Sequence, residues 1–140
     1  MITEQYVSFE TAKLLKEKGF DIPCGEIWVN NRVVRIGNLL SNSQIPLVDD
    51  LKFYGQRCNV ISAPTQSLVM RWLREVHNIC IIIKPCKLTS SDNTEYYYEI
   101  QGICPNSNIC VVCDVFNHES WLTYEQAAES AIKYCLENLI

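Results

Sequence analysis

No apolar run in this chain exceeds five residues, as in Ile79 to Ile83, far short of the roughly 20 that a membrane-crossing helix needs. The opening Met1–Tyr6 has no basic stretch leading into an apolar one, and the end Glu137-Asn138-Leu139-Ile140 carries no lipidation motif, so neither a secretory signal nor a lipid anchor is expected. Glycine is scarce, with 5 in 140 residues, and no phosphate-cradling loop, dinucleotide fingerprint or G-x-S-x-G elbow can be assembled from them. Only two histidines occur, His77 and His118, and no H-E-x-x-H pairs them. Positive charge is also short: 12 Lys plus Arg against 16 Asp plus Glu leave a net charge of −4. That balance argues against binding to a phosphate backbone, which needs a concentrated basic patch.

Cysteine, by contrast, is plentiful, with 8 in the chain. The expected compartment is a reducing cytoplasm, where structural disulfides are rare. The sharpest local pattern is Cys104, Cys110 and Cys113 followed by His118, three thiols and an imidazole that match the donor set of a tetrahedral zinc. Cys110-Val111-Val112-Cys113 also has redox C-x-x-C spacing. Both uses demand a tight turn or a helix start, whereas two valines inside an apolar run read as strand. In a regular strand, residues three apart face opposite sides, so the two thiols are expected to diverge. Cys80 among isoleucines and Cys135 beside Tyr134 and Leu136 read as small buried hydrophobes. No catalytic residue, cofactor or metal site is therefore assigned. Cys104, Cys110, Cys113 and His118 are kept as the alternative metal or cysteine-enzyme centre.

Three helices are expected. The first runs from the capping Ser8 to Gly19, with lysines in its last turn; Phe9, Ala12, Leu15 and Phe20 share a face. The second follows Pro64, with Leu68, Val69, Trp72, Leu73 and Val76 at helical spacing. The third opens on the capping box Thr123-Tyr124-Glu125-Gln126 and continues to near the C-terminus. His77, in the last turn of the second helix, is expected to favour the helix dipole as an imidazolium. Strands are expected at Ile27–Asn30 and Arg32–Ile36 around an Asn30-Asn31 turn, at Ile79–Lys84 closed by Pro85, and at Glu95–Ile103 and Ile109–Phe116 around Pro105–Asn108. In the tyrosine strand, Tyr96, Tyr98 and Ile100 are expected to face the core, with Glu95, Tyr97 and Glu99 opposite. Residues 39–60 have no regular pattern and are expected as a long loop or a short strand. Adjacent Asp49-Asp50 reads as a hydrated loop pair. The order α-β-β-α-β-β-β-α predicts an α+β fold, mainly antiparallel, and with no linker in view residues 1–140 are expected to form a single domain.

Several segments carry a resemblance: Phe9-Glu10-Thr11-Ala12 to Gly19-Phe20-Asp21, Ser62-Ala63-Pro64-Thr65-Gln66, Met70 to Ile79, and Thr123-Tyr124-Glu125-Gln126-Ala127 to Leu136. Together they resemble a family of small uncharacterised proteins of Bacteroides-type bacteria and their phages and mobile elements. The resemblance implies a cytoplasmic accessory protein of phage or prophage type and supplies no activity or site residue. The expected function is non-enzymatic, through a protein partner or self-association, because exposed Trp and Tyr make good interface anchors and an edge strand can pair across a dimer.

Overall fold

A computed structural model describes residues 2–45, 60–87, 92–103, 109–114 and 119–140, with the backbone alone for 103 and 109–114. Expectations for 46–59, Asp49-Asp50 and the Pro105–Asn108 tip included, lie outside the described residues, as does the end of the expected strand at 115–116. The chain divides into two compact units, Tyr6–Thr65 and Met1–Gln5 with Gln66–Ile140. No described helix is long and apolar enough to cross a membrane. The class is α+β, with three helices and two antiparallel sheets among the described residues.

The unit Tyr6–Thr65 begins with α1, Phe9–Glu17, whose Ser8 cap accepts the Thr11 N–H at 3.2 Å. Gly19 takes φ +85° beyond its end, and the Gly19 and Phe20 N–H groups return to the carbonyls of Lys16 and Leu15. That is a Schellman closure, and it needs a residue free of Cβ strain at this point. Strands β1, Cys24–Val29, and β2, Arg32–Leu40, are joined at Asn30 and Asn31, with φ of 45° and 65°. Two consecutive positive φ values are the signature of a type I′ hairpin, whose twist matches that of its strands. A third strand, β3, Val60–Ser62, pairs with β1 to give the order β2-β1-β3. The expected order omitted β3, since three residues are too few for a periodicity to show. Ile27, Val29 and Ile45 form the buried centre of one sheet face, with Val34, Ile36, Leu40 and Val60 packed around them.

In the other unit, α2, Gln66–His77, buries Val69, Trp72 and Leu73. Val76, expected on that face, is 59% exposed, because it falls on the last turn beyond the packed stripe. Arg71 and Glu75 pair at 2.8 Å across one turn. Asn78, at φ 56°, turns the chain directly into β4, Ile79–Lys87. This strand continues through Pro85 instead of stopping there. It pairs along its whole length with β5, Thr94–Ile103, which pairs in turn with β6, Ile109–Asp114. Ile79, Ile81, Tyr98 and Ile100 are buried, while Lys84 and Glu99 meet at 2.7 Å on the opposite face. The expected alternation of the tyrosine strand is thereby observed. Helix α3, Tyr124–Asn138, starts at Thr123, whose hydroxyl accepts the Gln126 N–H at 3.1 Å. It buries Ala127, Ala128, Ala131, Ile132, Cys135 and Leu136 and packs with α2 over β4 and β5.

Candidate functional site: an aromatic edge beside β5

The cysteines are the feature that most invites a chemical role. Cys24 opens β1 and is 4% exposed; burial, and then the neighbouring Glu26 charge, push its thiol up to about 11. A thiol held neutral is a poor nucleophile and a poor ligand. Cys135 is fully buried on α3. Cys80 and Cys86 are free and half-buried, paired with Gln101 and Glu95 on the face of β4 that carries Lys84. Cys58, Cys104 and His118 lie outside the described residues. Cys110 and Cys113 are placed by backbone only: Cys110 pairs opposite Gly102 and Cys113 opposite Ile100, with a register shift between them. One more residue lies on β6 than on β5 across that interval. The uninterrupted strand that was expected to separate the two cysteines is therefore not present, and period-two counting does not carry through it. Among the described residues, no group of three or more His, Cys, Asp and Glu could hold a metal ion.

His77 differs from its expectation. Burial lowers its pKa, so the neutral imidazole is favoured over a dipole-stabilised imidazolium. Its ring meets Trp72 edge-on at 4.5 Å, and Nε2 is buried without a hydrogen-bond partner among the described residues. Trp28 Nε1 is likewise buried without a partner among the described residues, while Ser62 Oγ is buried beside the Cys24 thiol, and register puts the two on opposite faces of the first sheet. The Trp28 and Ser62 atoms therefore do not converge on a site.

What does converge is a set of aromatic side chains at the start of β5 and α3. Trp121 and Tyr96 exchange both backbone hydrogen bonds at 2.8 Å, so the segment before α3 adds one rung beside β5. The exchange fixes Trp121 over the sheet, and its indole stacks on buried Tyr98 with centroids 5.1 Å apart and planes at 27°. Tyr124, in the first turn of α3, meets Tyr96 edge-on at 6.2 Å. One residue before Trp121, Ser120 Oγ donates to the Glu95 carboxylate. Leu122, between the rung and the Thr123 cap, is 65% exposed, and Tyr124 is 45% exposed. An apolar residue just before a helix cap commonly folds back onto the residue four positions into the helix. Here that position is Ala127, which is buried, while Leu122 stays out. Its exposure is therefore not a by-product of capping.

Sequence reasoning located Tyr96, Tyr98 and the Thr123 cap but missed Trp121 and Leu122. The signal available was an apolar pair, Trp-Leu, set into an otherwise polar connection. Comparison with protein-family models, curated proteins and solved structures gives no match to the chain.

Proposed function

We propose that this chain is a non-enzymatic binding protein, an accessory of the phage or prophage type that its sequence resembles. Its partner is a protein that covers Leu122 and Tyr124. The observation that carries this reading is the exposure of those two side chains directly beside half-buried Tyr96 and Trp121. Interfaces draw their energy from a few aromatic and aliphatic anchors seated in a fixed surround. The backbone rung at Trp121 and the stacking on Tyr98 supply the fixed surround, and Leu122 and Tyr124 supply side chains for a partner to bury. A metal or cysteine enzyme at Cys104, Cys110, Cys113 and His118 has no comparable support among the described residues.

The test compares the native chain with Leu122→Ser combined with Tyr124→Ala. A protein recovered with the native chain from host lysate is purified, and its affinity is measured by calorimetry. The double substitution should weaken that affinity by about 100-fold, the equivalent of two anchors of roughly 1–2 kcal/mol each. Undiminished affinity would remove the proposed surface from consideration.

A further inference from the structure

Strand β4 forms one margin of the sheet β4-β5-β6, and the hydrogen bonds of β5 determine what that margin presents. Tyr96 gives both its N–H and its C=O to Trp121. In an antiparallel ladder, a residue bonded on one side points no backbone polar group to the other. Pro85, which pairs with Tyr96, therefore directs its nitrogen and carbonyl away from β5. Such a position is one a strand proline requires, having no N–H to give. The same alternation turns the N–H and C=O of Ile79, Ile81 and Ile83 outward, since they pair with Gly102, Ile100 and Tyr98. No described residue bonds to these three on that side.

Unpaired edges invite pairing by another strand, and proteins blunt them with lysine and proline. Here the blunting devices, Lys84, Pro85 and Lys87, all sit in the second half of β4. From Ile79 to Ile83 there is neither charge nor proline. The guarded half rules out long or arbitrary pairings, while the unguarded half is short and can pair with itself.

We propose that a second copy of this chain pairs along this edge, β4 against β4 and antiparallel, with the two-fold axis at Ile81. In that register Ile79 bonds to Ile83 of the partner subunit, Ile81 bonds to Ile81 of the partner subunit, and every outward N–H and C=O in the stretch finds a mate. Lys84 falls opposite Asn78 of the partner subunit, and Pro85 lies past the end of the ladder. Moving the axis to Ile82 or Ile83 sets Pro85 against Ile79 or Ile81 and leaves a carbonyl without a donor. The β4-β5-β6 sheets of the two copies then form one sheet of six strands. This pairing uses a different strand edge from the Leu122 surface and does not depend on it.

The register predicts a specific covalent link. With the axis at Ile81, position 82 stands opposite position 80 of the partner subunit in a non-hydrogen-bonded pair, where Cα atoms are about 4.5 Å apart and a disulfide can close. The full chain carrying Ile82→Cys is treated with oxidised glutathione, run on a non-reducing gel and mapped by mass spectrometry. The expected result is a dimer linked between Cys80 and the introduced thiol, with no such dimer for Ile82→Ser. Sedimentation of the native chain should show twice the chain mass, and the Ile81 and Ile83 amide protons should lose protection from exchange on dilution. A native chain that sediments as a monomer at every concentration overturns the proposal. So does a dimer whose link joins any other pair of positions, or whose Ile81 and Ile83 amides exchange at the same rate at all concentrations.

Discussion

The two units of this chain handle their polar groups in opposite ways. Tyr6–Thr65 holds seven basic and six acidic residues, whereas Met1–Gln5 with Gln66–Ile140 holds five basic and ten acidic. In the first unit, polar side chains are spent on the backbone itself. Buried Asn42 donates to the Phe20 carbonyl at 2.8 Å and accepts the Ser62 N–H at 3.0 Å, joining the end of α1 to β3. Asp21 accepts both the N–H and the hydroxyl of Ser43 at 2.7 Å. The second unit also has an internal tie, Gln66, whose side chain donates to the Glu125 carbonyl and the Glu129 carboxylate. Beyond that tie it leaves Leu122 and Tyr124 exposed and the outer edge of β4 without a described partner. The first unit too exposes an apolar side chain, Leu39 on β2, at 68%, so the contrast lies between the buried polar ties of the one and the binding surfaces inferred for the other.

The largest expected effect breaks the closed unit. Asn42→Leu keeps the volume but leaves the Phe20 carbonyl and the Ser62 N–H buried without partners. Each orphaned backbone group costs about 1–3 kcal/mol, so a loss of about 3 kcal/mol is expected in the unfolding free energy measured by denaturant titration. Leu122→Ser, at an exposed site of the other unit, should change that free energy by no more than about 0.5 kcal/mol. Equal losses for both substitutions would erase the distinction between the units.

A smaller effect comes from Cys24. Its folded pKa of about 11 lies above the usual value of 9.0. A raised pKa means that folding favours the protonated thiol, so this contribution is complete below pH 9.0 and is lost as pH rises toward 11. The shift corresponds to about 2–3 kcal/mol at full titration. Over that interval the native chain should lose more stability than Cys24→Ala, whose curve lacks this component. Parallel curves would show that the thiol is not held neutral by its surroundings.

How much of this was visible beforehand depends on the range of the interaction. The Asn30-Asn31 turn, the caps at Ser8 and Thr123, the closure at Gly19 and the alternation of Tyr96 with Tyr98 are all set within a few residues, and all were readable. Strand β3 exists only because β1 offers it an edge. The persistence of β4 through Pro85 depends on which side of the ladder Tyr96 bonds, and that depends on Trp121, 25 residues further along. The shift in register between Cys110 and Cys113 is likewise set across two strands. The cysteine count pointed toward chemistry, yet Cys24 and Cys135 are plain core residues, and the one local signal for Leu122, an apolar pair with Trp121 in a polar connection, does not say which of the two stays exposed. Local sequence specifies turns and caps, and the surfaces that matter here are specified by pairing between distant segments.

The smallest expected effect tests whether the closed unit is electrostatically as well as sterically stitched. The hydroxyl and then the backbone N–H of Ser43 hold the Asp21 carboxyl below its ordinary value. A depressed carboxyl pKa contributes stability that is present above the unfolded value, near 3.9, and is lost as pH falls through the folded one. Asp21 is exposed to solvent, so the effect is a change of slope and not a collapse. Below about pH 4, the native chain should lose stability more steeply than Asp21→Asn, which keeps one acceptor for Ser43 but cannot titrate. If the two slopes coincide, the Asp21–Ser43 contact is geometric only, and the contrast between the units rests on Asn42 and its buried hydrogen bonds.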